Sequence, residues 1–379
     1  MNELMRSSVL IAVLGLCACG EAARTPAADM PGTTGIRFLA DGDRGDFRRA
    51  LEPLALVFPR DHGAHPDYRT EWWYFTGNLF ADDGRHFGFE LTFFRLALAA
   101  AASERASAWS ANQVWLAHLA VTDTASGRFI AEERSSRGAL DLAGTKERPL
   151  RIWVKDWSFE GDLEVPTGAA RLSAQSATAG IELELRGFER IVLQGDDGLD
   201  AKGPEPGNAS YYYSAPRLTA RGSLRVGDEQ RTVTGFAWMD REWGTSALSS
   251  GVVGWDWFAL QLDDGRDLMF YRLRQDDGSA SAFSGGTLTD AAGRSRRLGA
   301  SDVALEVAES WRSEASGVSY PVAWNMRVPS EDLELRIRPR LHDQELRLSV
   351  RYWEGAVEIT GRGTHGAVGG VGYLELAGY

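Results

Sequence analysis

Three observations predict an all-β fold of antiparallel barrels or sandwiches. From Thr70 onward the apolar residues recur with a period of two. Short turn signals separate the alternating runs. No long stretch carries a 3.6-residue apolar period. Taken in order, the first run puts Phe87, Phe89, Leu91 and Phe93 on one face. Trp115, Ala117, Leu119 and Val121 repeat the pattern, and Ile152 and Val154 precede Trp157 and Phe159. Late in the chain Leu346, Leu348, Val350 and Tyr352 read as one more alternating strand. Asp82-Asp83-Gly84, Ser126-Gly127, Asp263-Asp264-Gly265 and Ala292-Gly293 mark hairpin turns. Closure into barrels suits such a chain, because it removes exposed edges and can enclose a ligand. Ahead of the strands, Phe47–Leu56 suggests a short helix.

The N-terminus reads as an export signal. Arg6 supplies a positive start, and Val9–Leu16 is an apolar run too short to span a bilayer as a helix. Leu16-Cys17-Ala18-Cys19, followed by Gly20, has the form of a lipobox. Residues 1–18 are therefore expected to be a signal peptide and Cys19 the lipidation site, a membrane anchor carrying several acyl chains. Gly20 points to the periplasmic face of the outer membrane. Residues 19–46, rich in Ala, Pro, Thr and Gly at their start, read as a flexible tether.

Cys17 and Cys19 are the chain's two cysteines, so the body beyond them holds no disulfide, thiolate zinc site or cysteine nucleophile. A net charge of −12 argues against nucleic acid as a partner. The 13 tryptophans suggest aromatic-lined cavities. The small-residue stretch from Gly244 to Gly254 separates two β-rich halves, 47–245 and 246–379, each about the size of one barrel.

Four segments carry candidate chemistry: His62 to Leu79 with Glu71-Trp72-Trp73-Tyr74, then Tyr211-Tyr212-Tyr213-Ser214, then Trp238-Met239-Asp240-Arg241-Glu242-Trp243, and Trp255-Asp256-Trp257 leading to Tyr271. Asp240 is the sharpest candidate. As a structural group it would join Arg241 and Glu242 in a salt-bridge network at the junction of the halves. As a functional group it would be a general acid. Protonating a carbon–carbon double bond requires an acid in a dry site and faces that stabilise a cation. Trp238, Trp243, Trp255 and Trp257 offer such faces. Glu71 beside Trp72 and Trp73 is either a raised-pKa carboxyl in an apolar pocket or an ordinary strand carboxylate. His118 alternates away from the apolar face of its strand and reads first as a satisfied structural histidine. His62 and His65 lack an evident third strong ligand, so no metal is expected. The sequence has no G-x-S-x-G elbow, phosphate loop or dinucleotide fingerprint, and no cofactor is called for.

From about Phe58 to Tyr379 these segments closely resemble the AttH-type lipocalin-like family, which includes the carotenoid 1,2-hydratases. The runs Glu71-Trp72-Trp73-Tyr74 and Met239-Asp240-Arg241-Glu242-Trp243-Gly244 carry the resemblance. It implies a tandem pair of lipocalin-like antiparallel β-barrels, an apolar ligand, and a possible ABC-transporter partner. The hydratases carry an Asp-His-x-Trp version of the second run. Asp240 and Trp243 match it, but Arg241 stands where the histidine would be and cannot exchange protons near neutral pH.

Two readings follow. One is a lipid-anchored module that binds an apolar isoprenoid or lipid through Glu71, Trp72, Trp73, His118, Tyr212, Trp238, Arg241, Trp255 and Trp257. The other is a hydro-lyase adding water to an isoprenoid double bond, with Asp240 as acid and Trp243 and Tyr271 beside it.

Overall fold

The computed structural model describes residues 46–100, 111–163, 168–246 and 248–379. Cys19, the expected signal peptide and nearly all of the expected tether lie outside them. The described residues belong to one compact unit.

The period-two runs become strands. Phe87, Phe89, Leu91 and Phe93 lie on His86–Ala97, and Trp115, Ala117, Leu119 and Val121 on Gln113–Asp123; all are buried in one core. The four expected turns close hairpins, each with its glycine at positive φ: Gly84, Gly127, Gly265 and Gly293. Those positions favour glycine because a Cβ is disfavoured there.

Two antiparallel sheets result. In the first, Thr70–Ala81 lies between His86–Ala97 and Glu229–Gly244, and Ala209–Val226 pairs with the far side of Glu229–Gly244. Gln113–Asp123 and Arg128–Arg137 extend one side; Ala179–Arg186, Ala169–Gln175 and the strands back to Ala143–Glu147 extend the other. The sheet curls until Arg128–Arg137 meets Leu150–Val154. In the second sheet Val252–Leu262 pairs with Asp267–Gln275 on one side and Gly366–Ala377 on the other, and Arg351–Gly363 follows. The protein is thus all-β, with two curled, near-barrel antiparallel sheets.

Two sequence expectations need correction. Phe47–Leu56 is not helical. Pro53 in its middle removes an N–H and clashes with the preceding helical turn. The run Leu346–Tyr352 is not one strand. Glu345–Arg347 turns back through residues 348–350 onto Arg351–Gly363, so that Leu346 pairs with Tyr352. Alternation survives a three-residue reversal, and periodicity alone does not reveal the turn.

The central strands of each sheet have two buried faces. One faces the interior of its own sheet, where Phe75, Phe89, Leu119 and Phe159 pack in the first and Phe258, Trp324, Trp353 and Leu374 in the second. The other faces the opposite sheet, where Tyr74, Tyr212, Trp238, Trp257, Met269 and Tyr373 form a shared cluster. Gly88 permits this approach: a Cβ there would lie 2.6 Å from the Cβ of Ala356 in the other sheet. Polar bonds seal the seam. Asn78 Nδ2 donates to the Gly372 carbonyl (3.1 Å), Thr122 Oγ1 to Gln344 Oε1 (2.7 Å), and Arg217 pairs with Asp267 at 2.7 Å.

Candidate functional site

The two sheets enclose between them a cavity of about 180 Å³ whose wall draws on both. Its position follows from strand parity. On Thr70–Ala81, Trp72 and Tyr74 face the cavity, while Glu71, Trp73 and Phe75 turn the other way. On Glu229–Gly244, Asp240 and Glu242 face it and Arg241 and Trp243 do not. A side-chain period of two separates adjacent residues of one motif onto opposite faces.

Asp240 is the chemical centre of this wall. Trp238 Nε1 donates to its Oδ1 at 2.7 Å and Ser214 Oγ to the same oxygen at 2.5 Å. Tyr212 donates its hydroxyl to Oδ2 and receives Trp257 Nε1 at 3.1 Å. Burial raises the Asp240 carboxyl against the lowering effect of the Ser214, Tyr212 and Trp238 hydrogen bonds, and the balance leaves it at about 7. It is therefore a carboxylic acid poised to give up a proton near neutral pH. Trp72, Trp255 and Trp257 join it in the wall.

Beside it, Lys202 pairs with Asp200 at 2.5 Å and Glu242 at 3.4 Å, and Ser210 Oγ donates to Glu242 at 2.5 Å. Burial would lower the Lys202 ammonium, but Asp200 and Glu242 outweigh it and hold the group charged. Burial pushes Glu242 upward and Lys202 pulls it back only in part. Tyr271 donates its hydroxyl to Asp200 Oδ1 at 2.8 Å, so it supports the Asp200–Lys202 pair and makes no bond to Asp240.

A further group of carboxyls lies where the sheets meet. Tyr74 donates to Glu354 Oε2 and Trp255 Nε1 to Glu375 Oε1, both at 2.9 Å. Glu90 is fully buried nearby in the field of Glu375. Burial pushes Glu90 and Glu354 well above the usual carboxylate range and Glu375 to about 8. A pH dependence of stability follows. The folded protein keeps protons that an unfolded chain releases near the ordinary glutamate value of 4.5. This stability is complete below that value and is lost as pH rises from there through about 8. The melting temperature should be higher at pH 5 than at pH 9, by an amount worth about a few kcal/mol. Differential scanning calorimetry should show Glu375→Gln flattening that fall.

Several expected site residues lie elsewhere. Trp243 is a correction: it is fully buried away from the cavity, stacked on His65 at 3.8 Å between ring centroids. Glu71, Trp73 and Arg241 are on that same face. Glu71 accepts hydrogen bonds from Arg95 Nε and Arg241 Nη2, and the Arg241 guanidinium lies 4.0 Å from the Trp73 ring centroid. Far from being raised, the Glu71 carboxyl is held well below the carboxylate range: Arg241 and Arg95 overcome its burial. Tyr213 lies within hydrogen-bond distance of His62 Nδ1, at 2.6 Å. Among the described residues no three His, Cys, Asp or Glu groups are placed to hold a metal.

Trp72, His118, Tyr212, Asp240, Trp255, Trp257 and Tyr271 all reach the cavity wall, and Trp238 reaches it through Asp240. Sequence reasoning did not pick out Lys202, Tyr352, Glu354 or Glu375 as site residues. The available signal was an acid two residues from a tyrosine, as in Tyr352-x-Glu354 and Tyr373-x-Glu375, which places both on one strand face.

Two curled antiparallel sheets with an acid-bearing, aromatic cavity at their junction define a lipocalin-like fold. The chain belongs to the AttH-like family, whose model matches residues 49–379. The crystal structure of an AttH protein from Nitrosomonas europaea is 35% identical, with a TM-score of 0.76 over 88% of this chain and 100% of that one. Kievitone hydratase from Nectria haematococca shares the fold at 14% identity, with a TM-score of 0.65 over 88% of this chain and 98% of that one. By sequence, the chain is 24% identical over 193 residues to the dehydratase asqC of Emericella nidulans, covering 49% of this chain and 53% of that protein. It is 22% identical over 223 residues to kievitone hydratase of Fusarium solani subsp. phaseoli, covering 54% of this chain and 59% of that protein. The chain thus spans little more than half the length of the curated relatives it matches.

Proposed function

We propose that the protein is a hydro-lyase that adds water across an isoprenoid carbon–carbon double bond, or removes it from the corresponding alcohol, in the cavity between its sheets. The observation that carries this reading is Asp240: a buried carboxyl near pKa 7, held by three donors, in a wall otherwise rich in tryptophan. In the hydration direction its proton goes to one alkene carbon. The resulting cation faces the indoles of Trp72, Trp255 and Trp257, whose quadrupoles favour positive charge. Water then forms the new C–O bond. The names of two sequence relatives, a dehydratase and a hydratase, support the same reaction class.

At about 180 Å³ the cavity falls below the roughly 300 Å³ of common drug-sized pockets. A compact isoprenoid or one end of a longer chain suits it. The test is turnover of myrcene, linalool and an acyclic carotenoid by the purified protein in ¹⁸O-labelled water, read by mass spectrometry. Labelled alcohol from the alkenes, or alkene from linalool, is the expected result. Tight binding of these compounds with no turnover would replace this reading by that of an apolar-ligand carrier.

A further inference from the structure

Asp240 accounts for a proton donor, but a hydro-lyase also needs a group that takes the proton from water. A second chain of polar groups reaches the same cavity. His118, on Gln113–Asp123 of the first sheet, and Tyr352, on Arg351–Gly363 of the second, both line it. His118 Nδ1 and the Tyr352 hydroxyl are 2.6 Å apart, and His118 Nε2 is 3.2 Å from Glu133 Oε2. Glu133 also accepts the Ser349 backbone N–H at 3.2 Å and the Ser349 hydroxyl.

These partners fix the tautomer. Glu133 can only accept, so Nε2 carries the hydrogen and Nδ1 has a free lone pair. Tyr352 must then donate to Nδ1. Burial works to raise the Glu133 carboxyl, but hydrogen bonds from His118 and Ser349 outweigh it and hold it ionised. Burial and the fields of Glu90, Glu354 and Glu375 keep Tyr352 protonated at rest. Two bonded ring nitrogens alone do not mark a functional histidine, since His86 also bonds through both, to Thr124 and Asn78. Here an anion, an imidazole and a phenol stand in series, and the phenol's oxygen is left with a lone pair at the cavity.

We infer that Tyr352, His118 and Glu133 form the base arm of the cavity, with Tyr352 the catalytic residue and the other two positioning residues. The inference rests on the hydro-lyase reading above. As the water oxygen bonds to the cationic carbon, its proton passes to the Tyr352 oxygen. The Tyr352 proton passes to His118 Nδ1, and the imidazolium formed is stabilised by the Glu133 carboxylate. Asp240 has meanwhile lost one proton to carbon, so the site ends with one proton moved from Asp240 to His118 and none gained or lost beyond the water added. In dehydration the same steps run in reverse. The arm is complete only when the sheets are packed, since His118 and Glu133 come from one and Tyr352 from the other.

The test compares wild type, Tyr352→Phe, His118→Gln, Glu133→Gln and Glu133→Asp on myrcene and linalool, with kcat, KM and melting temperatures. Tyr352→Phe and His118→Gln should each lower kcat about 10²-fold or more with KM within about twofold. Glu133→Gln should lower kcat about tenfold. Its KM should stay within about twofold, and Glu133→Asp, which keeps the anion, should restore part of the rate. A purely structural role would change the melting temperature, would not separate kcat from KM, and would give no rescue by Glu133→Asp. The groups facing the relay are Glu133 at His118, and Glu90, Glu354, Glu375 and Tyr373 at Tyr352. Wild-type kcat in folded Tyr352→Phe or in Glu133→Gln overturns the base arm and leaves the hydro-lyase reading standing. No turnover by wild type on any probe overturns both. Should Tyr352→Phe fail to fold, Glu133→Gln decides, because that side chain is 23% exposed and supports no core.

Discussion

Asp240→Asn should lower kcat by about 10³-fold while leaving KM and stability nearly unchanged. Loss of a general acid is worth about 10²- to 10⁴-fold. The amide can keep its oxygen toward Trp238 Nε1 and Ser214 Oγ, which share Oδ1 in the wild type. Its NH₂ then faces the Tyr212 hydroxyl, which must accept where it now donates. Because Tyr212 already accepts from Trp257, this rearrangement costs about 1 kcal/mol and not the fold. KM should hold because the wall that contacts an apolar substrate is untouched. The pH profile gives a second readout. Activity that needs protonated Asp240 is present below about pH 7 and is lost as pH rises through that value. Any activity left in Asp240→Asn should lack this descending limb. Steady-state kinetics from pH 5 to 9 on whichever probe turns over checks both points. Wild-type activity in the variant would remove Asp240 from the mechanism.

The fold class was legible because period-two burial is written directly into residues such as Phe87, Phe89 and Phe93. The four glycine turns fixed where the hairpins reverse. The site was legible only in part, for the same reason. Within Asp240-Arg241-Glu242-Trp243 the charged and aromatic letters are contiguous, yet the pleat sends Asp240 and Glu242 into the cavity and Arg241 and Trp243 away from it. Nothing in the motif itself says which parity faces which environment, because both faces are buried. That required knowing that the opposite sheet covers the outer face. Tyr352, Glu354 and Glu375 were hidden differently. They lie more than a hundred residues from Asp240 in sequence and join it only when the second sheet docks. The place of Arg241 also gives the departure from Asp-His-x-Trp a physical meaning. The position points into the first sheet, where Arg241 Nη2 donates to the Gly63 carbonyl at 2.6 Å, so it serves packing and not proton transfer.

Glu71→Gln should therefore be the mirror image of Asp240→Asn, costing stability and sparing chemistry. Glu71 stands between Arg95 and Arg241, both fully buried, and accepts the His65 backbone N–H at 3.0 Å. The two guanidiniums in turn hold the loop ahead of the first strand through the carbonyls of Gly63, His65 and Tyr68. Removing the anion leaves two buried cations without their counter-charge, and breaking such a network costs about 3–5 kcal/mol. For a protein of this size that is a fall in melting temperature of about 4–7 °C. The pH dependence has the opposite sign to that of Glu375. A carboxylate held below its usual range contributes stability above the unfolded value, and that stability is lost as pH falls through the acid range. Wild type should thus be weakened at both extremes, and Glu71→Gln should have a shallower acid-side slope, since Asp61, Asp123, Glu133 and Glu345 are also held low. Hydrogen exchange should rise first in residues 60–69, which the two arginines pin. At a temperature where the variant is folded, kcat should stay within about twofold of wild type, because Glu71 faces the first sheet's interior and Asp240 the cavity. A melting temperature within about 2 °C of wild type would show that Arg95 and Arg241 find other acceptors, and that the buried network is not what holds this loop to the sheet.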